Sequence, residues 1–265
     1  MPRAPLGQHF LHNPSVLDRI ARQVPASDLV IEIGAGPGTL TRRLLGRARA
    51  VLAIEIDPRL AAALQPKLGD DPRLEVLQAD VLDLDLGALI AARTAGRAVV
   101  AGNLPYYITS PILRRIFDAA ERISGSVLLM QKEVAARVCA APGSRDFGYL
   151  SVLCQAHSRP ELLFTVPPWA FRPAPKVTSA LVRFLIEPRP EQWGVGDRRA
   201  FLDFAQLCFH HKRKTLLNNL EGRFGRERLA GLPEARLRAE QLAPEHLAAL
   251  WLRLAQHGAQ GDAAG

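Results

Sequence analysis

The tetrapeptide Asn103-Leu104-Pro105-Tyr106 combines residue types that suit the binding of a planar amine. An asparagine oxygen accepts a hydrogen bond from N–H, and a proline fixes the turn so that a main-chain carbonyl can accept a second one. The tyrosine ring can stack on a base. The same four residues also fit an ordinary turn at the end of a strand. Neighbouring elements have to decide between these two interpretations.

The apolar run 98–101 directly precedes the tetrapeptide and predicts a buried strand. Open α/β sheets bind their ligands at the carboxyl ends of their strands, which is where the tetrapeptide falls. Two other predicted strands end in acids in the same way, with Glu55 and Asp80. We expect Glu55 to hydrogen-bond both hydroxyls of a ribose and Asp80 to accept from an adenine amine. Asp57-Pro58 instead predicts the cap and first residue of the next helix.

A glycine-rich turn follows the first predicted strand of the sheet, 29–33, and leads into the helical pattern 39–45. Strand, glycine turn and helix in this order are typical of a nucleotide cradle. The glycines are Gly34, Gly36 and Gly38, and Thr39 occupies the third glycine position of a dinucleotide fingerprint. The turn therefore disfavours a dinucleotide oxidoreductase and favours a cofactor without a pyrophosphate.

Alternation of strands and helices predicts an α/β fold whose seven-stranded sheet is mostly parallel, with the last strand antiparallel. The proline-rich loop 167–179 can hold an aromatic ring, and Trp169 or Phe171 can equally plug the edge of the core. Pro188-Arg189-Pro190 marks a boundary, so we predict a domain of residues 1–187 and a helical domain of residues 188–265. Before the first helix, Phe10 and Leu11 form either a hydrophobic staple or a lid over the ligand.

Composition limits the class of protein. The net charge of +8 fits a polyanionic partner, although basic enzymes share it. Three isolated cysteines and seven histidines without ligand spacing predict no disulfide framework and no metal site. Since no stretch of 18 apolar residues is present and the first residues lack a signal core, we expect a soluble cytoplasmic protein.

Taken together, these residues resemble the ribosomal RNA adenine dimethyltransferases. That family comprises class I S-adenosylmethionine enzymes, with a Rossmann-like sheet, that dimethylate two adjacent adenosines near the 3′ end of small-subunit (16S) ribosomal RNA. The resemblance covers nearly the whole chain. It is carried, in order, by the motifs at 7–11, 32–41, 55–57, Asp80, 103–106, 171–179 and 212–216.

The resemblance implies S-adenosylmethionine as cofactor and the small ribosomal subunit as partner of a metal-free monomer. The residues that it implies at the cofactor are His9, Leu11, Gly34, Gly36, Gly38, Glu55, Asp80 and Asn103. His9 replaces an asparagine found in many members. Those that it implies in catalysis are Asn103, Leu104, Pro105, Tyr106 and Phe171, with the two rings enclosing the adenine.

RNA binding is assigned to Lys212, Arg213, Lys214, Arg172 and Lys176, and Lys212 replaces an arginine of the family pattern. Two alternatives stay open. Relatives that methylate large-subunit RNA and confer antibiotic resistance usually have isoleucine where Leu104 stands. A ribosome-assembly checkpoint factor that acts mainly by binding is the other.

Overall fold

The computed structural model describes residues 8–187 and 189–256. The first residues, on which the expected absence of a signal sequence depends, lie outside this part of the chain. Its strands are β1 (Phe10–Leu11), β2 (Ser27–Ile33), β3 (Ala48–Glu55), β4 (Leu74–Gln78), β5 (Ala98–Asn103), β6 (Ile123–Gln131), β7 (Ser158–Val166), β8 (Phe171–Arg172) and β9 (Ser179–Ile186).

Its helices begin and end as follows: α1 (Pro14–Gln23), α2 (Thr41–Leu44), α3 (Pro58–Lys67), α4 (Leu86–Ala91), α5 (Thr109–Asp118), α6 (Lys132–Val138), α7 (Tyr149–His157), α8 (Arg198–Cys208), α9 (Leu216–Phe224), α10 (Arg226–Ala230) and α11 (Pro244–Gln256).

Seven strands form one sheet in the order β4-β3-β2-β5-β6-β9-β7. The pairs β3-β4, β2-β3, β2-β5 and β5-β6 are parallel, and β6 pairs with β9 antiparallel. The predicted seven-stranded, mostly parallel sheet with an antiparallel last strand is confirmed. Because the strand order reverses between β2 and β5, the crevice for a ligand opens where these two strands end.

The ends of β2 and β5 lie unusually close to each other. The last five residues of β2 and the first five of β5 are buried, as expected for central strands of a parallel sheet. A Cβ atom at Gly102 would lie 2.5 Å from the carbonyl oxygen of Ile33, so only glycine fits at this position. This approach brings Gly34, which follows β2, and Asn103, the last residue of β5, to the same point of the sheet edge.

Helix α3 begins as predicted, because the Asp57 side chain accepts from the main-chain N–H of Arg59 and Leu60. Pro58 occupies the first turn. The helix after the glycine turn is shorter than its sequence pattern indicates and comprises only Thr41–Leu44.

The chain divides into two compact units, one of residues 1–135 and 159–186 and the other of residues 136–158 and 187–265. The predicted domains therefore need a correction, since residues 136–158 belong to the second unit. Val152 and Ala156 of α7 lie in one apolar cluster with Phe201 of α8 and Leu247 of α11. No residue of α7 is exposed, so its apolar sequence indicates burial on all sides but not which elements surround it.

Candidate active site

A cavity with an empty volume of about 950 Å³, counting the part open to solvent, lies at the carboxyl ends of β2, β3 and β5. It is lined by six of the residues expected from the sequence to bind the cofactor: His9, Gly34, Gly36, Glu55, Asp80 and Asn103. Leu104, Pro105 and Tyr106 line it as well. The structure thus collects most of the predicted site in one place.

The glycine turn and Glu55 are joined directly. Gly34, Gly36 and Gly38 all have positive φ angles, which side chains rarely adopt. The Glu55 carboxylate is 3% exposed and accepts from the N–H of Gly36 at 2.7 Å and from that of Asp57 at 2.9 Å. Each oxygen is therefore held by one main-chain donor and keeps a second lone pair for a ligand. A pair of vicinal hydroxyls is the ligand that such a fixed carboxylate suits.

Asp80 lies on the same side of the cavity, after β4. Its side chain accepts from the N–H of Leu82 at 3.0 Å, which fixes the orientation of the carboxylate.

Gly38 and Leu11 differ from the other expected cofactor residues, because neither lines the larger cavity. Gly38 lines neither of the two described cavities, and a Cβ there would lie 2.9 Å from Leu64, so its part is to form the turn. Leu11 lines the smaller cavity.

The amide of Asn103 has a defined orientation. Its Nδ2 donates to the main-chain carbonyl of His9 at 2.9 Å, so its Oδ1 is the atom left to accept from a ligand. The main-chain N–H of Leu104 donates to Leu129 in β6. The Pro105 carbonyl accepts from Ile108 and is also used by the Thr109 hydroxyl. The arrangement leaves the Asn103 side chain and the Leu104 carbonyl as acceptors of the tetrapeptide.

Tyr106 is held from two sides. Its hydroxyl shares a hydrogen bond of 2.6 Å with the Ser179 hydroxyl, and its ring stacks on His9 with centroids 5.9 Å apart. Burial raises the pKa of the Tyr106 hydroxyl, and the bond to Ser179 offsets part of the rise. The ring is therefore neutral at pH 7 and available for stacking.

Phe171 lies apart from the cavities. The side chain is 2% exposed and packs in the main core of the first unit with Leu11 and Ala170. It lines neither described cavity, so the predicted enclosure of a base between Tyr106 and Phe171 is not formed in this structure. The alternative, an aromatic plug at the core edge, describes its position. Trp169, the other candidate for that plug, is 64% exposed.

The segment 8–12, here called the N-terminal strap, borders both cavities. Strand β1 within it pairs antiparallel with β8, with Phe10 opposite Arg172 and Leu11 opposite Phe171. His9 Nδ1 donates to the carbonyl of Pro173 at 2.8 Å. Of the two sequence interpretations, staple or lid, this position beside both cavities favours the lid.

A buried acid, Glu32, begins the motif 32–41, but the sequence alone assigned no role to its carboxyl group. It is 1% exposed and lines a second cavity of about 380 Å³ that shares Phe10, Gly34 and Asn103 with the larger one. In the described part of the chain its Oε2 atom has no hydrogen-bond partner. A carboxyl group inside an otherwise apolar strand was the signal that could have identified it, because such groups are rarely buried without a function.

Burial raises the pKa of Glu32 from 4.5 to about 8, the neighbouring Thr41 hydroxyl lowers it in part, and the Glu55 carboxylate raises it. The free energy of unfolding should then be unaffected by Glu32 below pH 4.5. It should decrease by up to about 1.4 kcal/mol per pH unit from there to about pH 8, where the folded carboxyl ionises as well. We expect Glu32→Gln to remove this dependence, so that its stability relative to the unmodified protein is about 2 kcal/mol more favourable at pH 7.5 than at pH 5.5.

Urea denaturation at the two pH values measures this difference. Asp80→Asn, which removes an acid from the larger cavity without the same burial, serves as the control. An equal difference between Glu32→Gln and the unmodified protein at both pH values would show that Glu32 ionises in the folded protein as it does in the unfolded chain.

Basic residues predicted to bind RNA occur in both units. Arg172 and Lys176 are exposed on the loop around β8. In the second unit, Lys212, Arg213 and Lys214 are exposed in the turn between α8 and α9. In the described chain no helix is long and apolar enough to cross a membrane, and no cluster of three or more His, Cys, Asp or Glu residues could hold a metal ion.

Comparison with protein-family models matches residues 2–260 to "Ribosomal RNA adenine dimethylase". Among curated proteins, the chain is 42% identical over 257 residues to the ribosomal RNA small subunit methyltransferase A of Acidobacterium capsulatum, with 94% of this chain and 90% of the relative covered. The protein of the same name from Salinibacter ruber is 40% identical over 262 residues, with coverages of 97% and 86%.

Two solved structures are similar over nearly the whole chain. A dimethyladenosine transferase from Plasmodium falciparum has a TM-score of 0.78 and 25% identity, covering 94% of this chain and 98% of its own. The 23S rRNA methyltransferase ErmE has a TM-score of 0.67 and 28% identity, covering 92% and 99%. The fold is therefore shared with a dimethyladenosine transferase and with a 23S rRNA methyltransferase.

Proposed function

The chain belongs to the ribosomal RNA adenine dimethylase family, and we propose that it dimethylates the N6 amines of two adjacent adenosines near the 3′ end of small-subunit (16S) ribosomal RNA during ribosome assembly in the cytoplasm. The observation that carries the proposal is the amide of Asn103. Because His9 accepts from its Nδ2, its Oδ1 is an acceptor at the cavity edge, as an adenine amine requires.

Enzymes of this family use S-adenosylmethionine, which supplies an electrophilic methyl group on a sulfonium ion. The residues fit this cofactor. Glu55 suits the two ribose hydroxyls, Asp80 an adenine amine, and the positive φ of Gly34 and Gly36 lets the main chain approach a ligand closely. Glu32, buried with one unpartnered oxygen in the smaller cavity, suits the amino group at the other end of the cofactor.

The chemistry of the target amine explains the need for two acceptors. The lone pair of an adenine 6-amine is delocalised into the ring, so the amine becomes nucleophilic as it turns pyramidal. We propose that Asn103 Oδ1 and the Leu104 carbonyl each accept one amine hydrogen and orient the lone pair. Fixed acceptors stabilise the positive charge that develops on nitrogen without reorganising. The methylated amine is acidic enough to release its proton to water, so the site needs no general base.

Tyr106 holds the base that carries this amine. The adenine has to leave its stack in the RNA to reach the cavity, and a stack on an aromatic ring recovers about 1–3 kcal/mol. The Tyr106 ring is oriented by Ser179 before the base arrives, which reduces the entropy lost on binding. Phe171 would have to leave the core to enclose the base from the second side.

Small-subunit RNA is the better-supported substrate. The relatives at 40–42% identity are named small subunit methyltransferases, whereas the 23S rRNA methyltransferase ErmE is 28% identical. Leu104, where the large-subunit enzymes usually have isoleucine, agrees with this choice. The hydrogen-bond acceptors at Asn103 and Leu104 and the glycine turn favour an enzyme over a checkpoint factor that acts only by binding.

The proposal is tested with small and large subunits that lack dimethyladenosine. The protein is incubated with each and with S-adenosylmethionine labelled on its methyl group, and the labelled nucleotides are mapped. We expect label on two adjacent adenosines near the 3′ end of the small-subunit RNA. Label confined to large-subunit RNA would identify the other class of enzyme, and binding without label would favour the checkpoint factor.

We further propose that the turn between α8 and α9 contacts the RNA backbone. Asn219 holds this turn, since it accepts from His211 N–H and its Nδ2 donates to the Cys208 carbonyl. Lys212 Nζ donates to the Arg145 carbonyl at 2.5 Å, so this lysine already has a role within the protein. Arg213 and Lys214 are therefore the cations of the turn that are better placed to contact RNA phosphates. Three like charges in one turn are unfavourable unless an anion lies opposite.

Replacing Arg213 and Lys214 with alanine is expected to weaken binding to small subunits and to leave cofactor affinity unchanged. The slope of log affinity against log salt should become shallower by about 0.7–0.9 for each phosphate that the variant no longer neutralises. The matched control replaces Arg199 and Arg236, two other exposed arginines of the same unit, and removes the same charge. Equal slopes for the two double variants would mean that the turn does not bind phosphates specifically.

A further inference from the structure

Tyr107 is an exposed aromatic residue at the edge of the larger cavity. Five large apolar side chains stand out as exposed in the described part of the chain: Tyr107, Leu162, Trp169, Val177 and Leu185. Among them only Tyr107 lines a described cavity, and 63% of it is exposed to solvent. It follows Tyr106 in a short 3-10 turn, Tyr106–Ile108. This position lets the ring contact a molecule that extends out of the cavity.

The main chain that carries this ring is held on both sides. Ile108 N–H donates to the Pro105 carbonyl at 3.3 Å, and the Thr109 hydroxyl donates to the same oxygen at 3.2 Å. Before it, the side-chain hydroxyl of Tyr106 is bonded to that of Ser179, which fixes the preceding side chain. Because the turn is fixed and the ring has only two side-chain torsions, stacking on it costs little conformational entropy.

The proposed reaction creates a need for such a ring. When an adenine leaves the RNA stack and enters the cavity, the adjoining nucleotide loses one of its stacking partners and lies at the cavity edge. An aromatic ring can replace that partner for any base, since every base has a π-face. The net charge of +8 of the whole chain is compatible with a polyanionic partner such as RNA.

We propose that Tyr107 stacks on the nucleobase adjacent to the adenine held in the cavity, and thereby selects RNA in which a stackable base adjoins the target. The inference rests on the proposed function and deepens it. With two adjacent adenosines, the ring receives one of them while the amine of the other is methylated. Tyr106 serves the base inside the cavity and Tyr107 the base outside it.

The test uses small subunits that lack dimethyladenosine, assembled with RNA whose 3′-terminal segment is synthetic. One version is intact and the other has an abasic site next to the mapped target adenosine. Transfer of labelled methyl groups to that target is measured with the unmodified protein and with Tyr107→Ala. Tyr107→Phe and Tyr107→Trp retain a ring, and Trp169→Ala removes a ring that is 64% exposed but lines neither cavity.

On intact RNA, Tyr107→Ala is expected to lower kcat/KM by about 5- to 150-fold, the factor that corresponds to one stack, mainly through KM. The abasic site should lower kcat/KM of the unmodified protein by a similar factor, and both changes together should cost no more than either alone. Tyr107→Phe and Tyr107→Trp should restore the rate. Trp169→Ala should leave the ratio of kcat/KM on intact RNA to kcat/KM on abasic RNA as it is in the unmodified protein.

If the losses of kcat/KM caused by Tyr107→Ala and by the abasic site multiply, Tyr107 contacts the target adenine itself or another group, and the inference is overturned. An unchanged rate for Tyr107→Ala would overturn it as well. If the unmodified protein methylates neither RNA, the proposed function fails first, and the inference fails with it.

Discussion

Asn103→Ala is expected to slow methyl transfer by about 10²–10³-fold, the usual cost of removing one preorganised hydrogen-bonding group from a site where charge develops. Affinity for small subunits should stay within about threefold, because contacts to phosphates dominate RNA binding. Single-turnover transfer from labelled cofactor measures the first quantity, and filter binding of subunits the second. A rate within tenfold of the unmodified protein would exclude Asn103 as an acceptor for the amine.

Asn103→Asp separates the two hydrogen bonds of this side chain. Aspartate keeps an acceptor oxygen for the amine but cannot donate to the His9 carbonyl. If accepting from the amine is the function of residue 103, Asn103→Asp should retain more activity than Asn103→Ala. If the bond to the N-terminal strap is what matters, both variants should be equally slow and should share a weaker cofactor affinity.

Phe171→Ala is expected to lower the free energy of unfolding by about 3–5 kcal/mol, the typical cost of removing a buried phenylalanine from a core. The side chain is 2% exposed and lies among Leu11 and Ala170, so the neighbours cannot easily fill the space. Urea denaturation measures the loss. A change below about 1 kcal/mol would mean that the ring is not held in the core in solution.

Phe171→Leu distinguishes a core plug from a stacking partner. Leucine retains most of the apolar volume and should cost about 1 kcal/mol or somewhat more in stability. If Phe171 serves only as a core plug, the rate of methyl transfer by Phe171→Leu should be within threefold of that of the unmodified protein. A tenfold slower transfer at nearly unchanged stability would favour the enclosure of the base that the family resemblance implies, with Phe171 leaving the core when RNA binds.

Local patterns predicted much of the fold. The seven strands, the antiparallel last strand and the cap at Asp57 each depend on neighbouring residues or on general rules for α/β sheets. The clustering of Gly34, Glu55 and Asn103 followed from one rule, since strands of a parallel sheet end at the same edge.

Long-range interactions could not be predicted in this way. Asn103 donates to a carbonyl 94 positions earlier in the chain, and Phe171 pairs with a residue of the N-terminal strap. Neither interaction leaves a periodic pattern in the sequence. Helix α7 shows the same limit, because its apolar residues indicate burial but its partners, α8 and α11, become known only from the structure.

The pairing of β1 with β8 also determines when the site can form during synthesis. Phe10 and Leu11 line the cavities, and their β-sheet partners are Arg172 and Phe171. A chain that leaves the ribosome from its N-terminus exposes the strap first but has to wait for residue 172 before the strap can dock. The nascent chain can therefore build the central strands while its cofactor site is still incomplete, and it becomes able to enclose a ligand only late in translation.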